Sequence, residues 1–167
     1  VGEIASHIAD NSAAVNGLDG INITATDTGI TDAEIVTLAS NTTGVVTATS
    51  ATTALATAVS GLAFTGGNAG EAISDSFAGH AISYALVDNT VTAANLNTLL
   101  GRTTGTITIT PADGDDSPDI SGSATALATA FASSQISGLD AAAVTITGGA
   151  TVAQINSLAS QTTGVIT

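Results

Sequence analysis

Glycines recur along this 167-residue chain at nearly regular intervals, and the segments between them are similar to one another. The intervals are 15, 27, 17, 18, 26, 17, 16 and 26 residues. Two short intervals of 16 to 18 residues are followed by a long interval of 26, which gives a period of about 60 residues. Self-similarity at a fixed spacing is typical of stacked repeats, in which each unit buries its apolar side chains against its neighbours. The nine glycines of this regular series, out of 18 in the chain, are Gly2, Gly17, Gly44, Gly61, Gly79, Gly105, Gly122, Gly138 and Gly164.

Three long segments, 18–44, 80–105 and 139–164, have the same internal order of patterns. Each begins with alternating apolar and polar residues, and this period of two predicts a half-buried strand. Each closes with Thr-Thr-Gly, after which a second strand is predicted. These second strands cover 45–49, 106–110 and the residues from Val165 onward.

A helix start lies in the middle of each long segment. Thr31 with Glu34 and Thr151 with Gln154 match the capping box, in which side chains satisfy free N–H groups of the first turn. Thr92 with Asn95 is a weaker version of the same pair. Apolar residues three apart then mark one helical face, namely Ile35 and Leu38, Leu96 and Leu99, and Ile155 and Leu158.

The short segments carry apolar pairs four residues apart among many alanines, a pattern that predicts short helices with a narrow apolar stripe. A glycine follows each pair within a few residues, as helix C-termini prefer. The pairs are Ile4/Ile8, Leu55/Val59, Ile73/Phe77 and Leu127/Phe131.

Strands and short helices that alternate in this way predict an α/β repeat solenoid with parallel strands and short helices. A parallel β-solenoid, in which the helices are loops or single turns, is the alternative. We expect one continuous repeat array over 1–167, divided at about 1–44, 45–105 and 106–164, with the start of a next repeat at 165–167. Because neither end carries a polar cap, we expect a stretch of something longer or a chain that stacks on identical neighbours.

The apolar residues of this chain are small, which limits how a core can form. They make up 44% of the sequence, yet only three Phe, one Tyr and neither Trp nor Met occur among them. Each small side chain buries little surface, at about 25 cal/mol per Å² of apolar area. Such a core requires thin, closely spaced layers, which a solenoid provides and a thick globule does not.

The charge balance excludes several classes of partner. A single basic residue, Arg102, stands against fourteen acidic residues, and the net charge is −13. Such a chain repels phosphate backbones and anionic lipids, so we expect no nucleic-acid partner. Runs of about 18 apolar residues are absent from the sequence, so we expect no membrane insertion. Zero Cys with low Lys and high Thr favours an exported bacterial protein, extracellular or at the cell surface, over a cytosolic protein without thiols.

The recurring unit resembles a repeat of a known class of proteins. Its helix part follows Thr-x-Ala-x-Ile/Leu-x-x-Leu from Thr31, Thr92 and Thr151, and its last part is the Thr-Thr-Gly strand. This unit is similar to Ala/Thr-rich repeat regions of large secreted bacterial surface proteins, which are adhesin-like, RTX-like or surface-layer-like, although the RTX calcium nonapeptide is absent. A more distant similarity links 92–99 to repeats of phage tail fibres. Both resemblances imply a structural or adhesive role rather than catalysis.

Four carboxylates fall within seven residues, at Asp113, Asp115, Asp116 and Asp119. Ca²⁺ relieves the repulsion between such close acids through oxygen ligands at about 2.3–2.6 Å, so calcium is the one cofactor that the sequence suggests. The spacing departs from the EF-hand pattern. A solvated turn, in which Asp and Pro suit the backbone geometry, is the favoured interpretation, and a calcium site is the alternative.

Threonines alternate with Ile, Ala or Val in most of the predicted strands. The alternation sends the apolar residues inward and lines one sheet face with hydroxyl and methyl groups. Such a face can bind a saccharide, a mineral surface or ice, or it can be an uncharged solvated surface made of residues with high β propensity. The candidate surface-binding residues are Thr24, Thr26, Thr47, Thr49, Thr106, Thr108, Thr110, Thr145 and Thr147.

Histidine and glycine patterns give no support for catalysis. His7 and His80 lie far apart, no Cys accompanies them, and neither belongs to a hydrolase signature. We therefore expect solvent-facing or packed histidines rather than a zinc site or a catalytic base. The glycines form neither a GxGxxG nor a Walker phosphate loop. The sequence thus predicts a non-enzymatic protein.

The function predicted from these observations is a structural repeat module of a long extracellular bacterial surface protein, fibre or filament. Its expected partners are further copies of itself or flanking repeats of a longer chain. The alternative function is a surface-binding module for a saccharide or ice, which would use the outward Thr-x-Thr face.

Overall fold

Short parallel strands and short helices alternate along the residues that the structure describes. This computed structural model describes residues 20–61 and 79–167. Its strands are β1 (Ile23–Ile30), β2 (Val46–Ser50), β3 (Ala81–Leu86), β4 (Thr90–Thr92), β5 (Ile107–Ile109), β6 (Asp119–Gly122), β7 (Ile136–Ser137) and β8 (Val144–Ile146). Its helices are α1 (Asp32–Ala39), α2 (Leu55–Gly61), α3 (Ala93–Leu100), α4 (Ala124–Ala132) and α5 (Val152–Ala159). The helices predicted around Ile4/Ile8 and Ile73/Phe77 lie outside the described residues.

Every pair of neighbouring strands in the two sheets is parallel. One sheet has the order β1-β2-β3-β5-β7 and the other β4-β6-β8. Paired residues are 20 to 34 positions apart, from Ile30 opposite Ser50 to Thr47 opposite Ala81. Each strand therefore lies beside a strand from the next circuit of the chain, and we call one such circuit a pass. The predicted α/β class with parallel strands and short helices is confirmed.

The helices begin at their capping residues. The Thr31 hydroxyl accepts from the Glu34 N–H at 3.4 Å, and the Glu34 carboxylate accepts from the Thr31 N–H at 2.9 Å. Thr151 and Gln154 form the same reciprocal pair at 3.3 and 2.9 Å. At Thr92 the hydroxyl caps the first turn of α3. These bonds confirm the predicted helix starts, because each satisfies an N–H group that the helix itself leaves free.

The apolar stripes of α1 and α3 face one hydrophobic core. Ile35, Leu38, Leu96 and Leu99 have at most 1% of their surface exposed. Each helix contacts the next helix along the chain, from α1 to α5. The core also contains the inward side chains of the strands, among them Ile82, Tyr84, Leu86, Ile107, Ile109 and Ile120.

Helix α5 departs from the predicted stripe. Leu158 is fully buried, but Ile155 is 38% exposed. The two residues share a helical face in the sequence pattern, so the difference arises from what packs against α5 and not from the helix itself.

The glycines that end the three Thr-Thr-Gly turns mark places where successive passes touch. A Cβ built on Gly44 or Gly105 would lie 2.3 Å from the carbonyl oxygen of Ile21 or Ile82, and one on Gly164 would lie 2.1 Å from that of Ala142. Real Cβ atoms do not approach oxygen so closely. The Thr-Thr-Gly turns therefore require glycine because the backbone of the preceding pass occupies the space of a side chain.

We expect Gly105→Ala to lower the free energy of unfolding by at least about 2 kcal/mol, because the backbone that the new methyl group meets cannot move aside like a side chain. Gly101→Ala is the matched control. A Cβ at Gly101 meets nothing nearer than the Thr98 carbonyl oxygen at 3.5 Å, and the residue already has right-handed helical angles. Urea denaturation followed by circular dichroism measures both variants. Equal stabilities would contradict the close contact at Gly105.

Candidate functional site

The first threonine of each Thr-Thr-Gly turn connects two passes of the chain. Thr42, Thr103 and Thr162 have 8%, 3% and 8% of their surface exposed, and we call these three residues the threonine clamp. Their hydroxyl groups donate to the carbonyl oxygens of Ile21, Ile82 and Ala142 at 2.6, 2.6 and 2.8 Å. The same hydroxyl groups accept from the N–H groups of Gly44, Gly105 and Gly164 at 2.9, 3.0 and 2.9 Å.

The clamp satisfies backbone groups that the turn would otherwise bury without partners. Each hydroxyl donates to a carbonyl of one pass and accepts from an N–H of the next. It thereby takes the place of a backbone hydrogen bond of the parallel sheet at the point where the chain turns. The sequence shows the motif three times but gives its threonines no role. The signal that could have identified the clamp is the fixed pairing of a hydroxyl with a glycine two residues later.

The second threonine of the turn adds two further bonds at Thr104 and at Thr163. Thr104 reaches the His80 carbonyl through its N–H at 2.9 Å and its hydroxyl at 3.1 Å. Thr163 reaches the Asp140 carbonyl in the same way, at 2.8 and 3.2 Å. The turn is thus tied to the preceding pass by several adjacent groups.

His80 is packed between passes, and His7 lies outside the described residues. The His80 Nδ1 atom accepts from the backbone N–H of Val46 at 3.0 Å. Only 8% of the His80 surface is exposed, and this burial lowers the pKa of the imidazole below its usual value. The neutral ring therefore acts as a backbone acceptor at the start of β3, in agreement with the packed alternative from the sequence.

We expect acid to weaken the contact between His80 and Val46. The unfolded chain binds a proton first as the pH falls through about 6.5, because the folded-state pKa is lower than that value. The stability that His80 contributes is therefore full above this pH and is lost as the pH falls through the folded-state pKa. Urea unfolding between pH 8 and pH 5 should show a steeper loss for the native chain than for His80→Asn, whose amide oxygen accepts without titrating. Parallel pH curves for the two chains would contradict this role.

All nine candidate threonines are exposed, as the alternation predicts. The residues between them point inward, for example Ile107 and Ile109 in β5. Hydroxyl groups of neighbouring strands contact each other, with Ser137 donating to Thr108 at 3.2 Å and Thr106 donating to Ser83 at 3.2 Å. We call this exposed array of hydroxyl groups the hydroxyl face.

The hydroxyl face differs from the expected single array in being divided between two sheets. Thr145 belongs to β8 and Thr147 follows it, so both lie at the three-stranded sheet, where Thr145 contacts the Thr167 hydroxyl at 3.3 Å. The other seven threonines lie in or directly beside β1, β2 and β5 of the five-stranded sheet. From β3 onward successive strands alternate between the two sheets, and β8 of the third long segment falls in the three-stranded sheet. Binding of a surface by these residues stays a prediction.

The acidic segment forms an exposed connection between β5 and β6. The Asp113 carboxylate accepts from the Asp115 N–H at 3.2 Å, and the Asn89 amide oxygen accepts from the Ala112 N–H at 2.9 Å. Asp119 starts β6, opposite Thr90, and Asp116 is exposed. Across 20–61 and 79–167, no three acidic or histidine side chains are grouped to hold a metal ion. The structure therefore does not bring the four carboxylates together, and calcium binding stays a prediction.

A half-buried polar contact that the sequence did not indicate joins three passes. The Asp32 carboxylate accepts from the Ser50 hydroxyl at 3.1 Å and from the Tyr84 hydroxyl at 3.5 Å. Burial raises the pKa of Asp32, and the two hydrogen bonds partly oppose that shift. Burial and the neighbouring Asp32 carboxylate raise the pKa of Tyr84 well above its usual range. Tyr84 thus remains a proton donor, and the contact serves as a structural link between α1, β2 and β3.

Comparison with protein-family models, with curated proteins and with solved structures gives no match to this chain. In the described ranges, no helix is both long and apolar enough to cross a membrane.

Proposed function

We propose that this chain is a structural repeat module, a stretch of α/β solenoid that extends a long extracellular bacterial surface protein, fibre or filament. The observation that carries this proposal is the threonine clamp. Three turns at Thr42, Thr103 and Thr162 make the same bonds to the carbonyl of the preceding pass, 20 or 21 residues earlier. A device repeated at this spacing suits a chain whose function is to place one pass on another.

The proposed mechanism is mechanical. Parallel ladders, clamp bonds and helix contacts all join neighbouring passes, so a load along the stack is shared by many parallel contacts. Stability in such an array is close to a sum over passes and the interfaces between them. Extension by further passes of the same design would lengthen the structure without a new core.

Surface chemistry supports the extracellular placement in this proposal. The described strands present uncharged threonines to solvent, and the net charge of −13 favours solubility of the exposed surface. A chain without Cys holds itself together independently of the redox state around it. The proposed partners are flanking repeats or further copies, and no catalytic role is proposed.

We expect insertion of a second copy of 45–105 after Gly105 to lengthen the molecule and leave its thickness unchanged. The copy adds two passes, and strands in a sheet are about 4.8 Å apart, so the maximum dimension should grow by about 10 Å. Small-angle scattering measures the maximum dimension and the cross-sectional radius separately. The control is a Gly/Ser segment of equal length at the same point, which should add no helical signal in circular dichroism. An inserted chain that thickens in all directions would contradict the repeat module.

The alternative proposal is a surface-binding module that uses the hydroxyl face. It is favoured by one observation, the contacts between hydroxyl groups of adjacent strands at Ser83/Thr106 and Thr108/Ser137. Regular rows of this kind can match a saccharide or an ice lattice. The division of the face between two sheets weakens the ice version, since a lattice match requires one flat array.

Thermal hysteresis tests the ice version of the alternative. If ice is the ligand, the native chain should lower the freezing point below the melting point, and Thr108→Asp should reduce that gap. Thr129→Asp is a control, because Thr129 is exposed on α4, away from the strands. A gap of zero for the native chain would contradict ice binding.

A further inference from the structure

Helix α5 exposes an apolar surface that the preceding long segment buries. Val152 is 75% exposed and Ile155 is 38% exposed. The capping threonines align α5 with α3, so Val152 corresponds to Ala93 and Ile155 to Leu96. Both α3 residues are fully buried. The surface that α5 exposes is thus equivalent to a surface that is buried on α3.

Two elements of the next pass cover α3, namely α4 and the end of β6, where a Cβ built on Gly122 would lie 3.0 Å from the Ala93 Cβ. Ala124, Leu127 and Ala130 are the buried residues of α4. Alanines on either side of one leucine let two helix backbones approach closely, so a short side chain can span the gap. The Asn97 amide does so, donating to the Ala126 carbonyl at 2.9 Å.

The residue on α5 that corresponds to Asn97 is also an asparagine. Asn156 is exposed, whereas Asn97 is half-buried under α4. The exposed surface of α5 therefore repeats the arrangement of two apolar residues and one asparagine that α3 presents to α4, with larger Val in place of Ala and Ile in place of Leu. Of the other exposed positions on α5, Ala153 and Ser157 correspond to Ala94 and Thr98, which stay exposed even where α4 is present, and Ala159 corresponds to the half-buried Leu100.

Residues 165–167, which pair with β8, form a strand edge next in the chain after α5. Val165 accepts from the Val144 N–H at 2.8 Å, and Thr167 donates to the Val144 carbonyl at 2.8 Å. In a parallel ladder, alternate residues direct their peptide groups to opposite sides. Ile166 therefore directs its peptide groups away from β8, toward the position of a further strand.

We propose that Val152, Ile155 and Asn156, with the edge at 165–167, form an acceptor surface for one further pass with a helix of the α4 type. The occupant is an alanine- and leucine-faced helix, and the Asn156 amide donates to a backbone carbonyl on it. This inference rests on the proposed repeat-module function and specifies its contact chemistry. The residues that take part are those of α5 that correspond to the α3 residues at the interface with α4.

The test extends the full chain by a copy of 109–137, which contains α4, placed after Thr167. This junction is natural, because 166–167 follow Thr-Thr-Gly just as 107–108 do. Val152→Lys probes the covered position. Ala153→Lys is the matched control, since it places the same charge one residue away in the same helical turn. Both variants are made in the original chain and in the extended chain.

We expect the two lysine variants to change the folding equilibrium constant of the original chain by similar small factors. In the extended chain, Val152→Lys should reduce this constant about 30-fold more than Ala153→Lys does, because the lysine would be buried. Asn156→Ala should reduce it about fivefold in the extended chain only. Urea unfolding gives the constants, and hydrogen exchange reports whether the added helix is protected.

The outcomes separate this inference from the proposed function. An added segment without protected amides would overturn both. A protected added helix with equal effects of the two lysine variants would overturn the acceptor surface alone. Self-association of the original chain that Val152→Lys abolishes would assign the surface to a second copy and would also overturn the proposed occupant.

Discussion

The contact between each Thr-Thr-Gly turn and the backbone of the preceding pass is the constraint on which the described structure depends. At Gly105 the Ile82 carbonyl oxygen occupies the space of a Cβ, and two residues earlier the Thr103 hydroxyl binds that same oxygen. The glycine sets the separation of the passes, and the threonine supplies the hydrogen bond that a turning strand cannot make. Together they fix the register of the strand that follows.

The small side chains of the core follow from this close spacing. Alanine on α4 lets neighbouring helices approach, and large residues are few. Tyr84 is the exception, and its hydroxyl needs a partner because a buried polar group without a hydrogen bond is costly. The partner is Asp32, a carboxylate whose pKa is itself raised by burial. A polar link between three passes thus accompanies the one large aromatic side chain among the fully buried residues.

Features that depend on neighbours in sequence could be predicted, whereas those that depend on distant contacts could not. The capping threonines and the inward alternation of the strands are local, and both were predicted correctly. The position of Thr145 in the second sheet depends on how the strands from β3 onward alternate between the two sheets, which no local pattern encodes. The exposure of Ile155 was missed for the same reason, because burial of a helix face is decided by the next helix. The link between Asp32 and Tyr84 joins residues 52 positions apart, and an acid at a helix start has a sufficient local explanation.

Contacts between neighbouring passes place a particular demand on the polar side chains at those interfaces. Apolar contacts such as Leu96 against α4 tolerate sliding, but an amide that donates to one carbonyl holds one register. Asn97 accepts an energetic cost for this, since its own amide oxygen is buried without a hydrogen-bond partner in the described structure. A leucine at that position would bury more apolar area and would leave the helix free to slip by a turn. The asparagine therefore fixes the register at some cost in stability, which matters because the apolar faces of neighbouring helices could otherwise pair in more than one register.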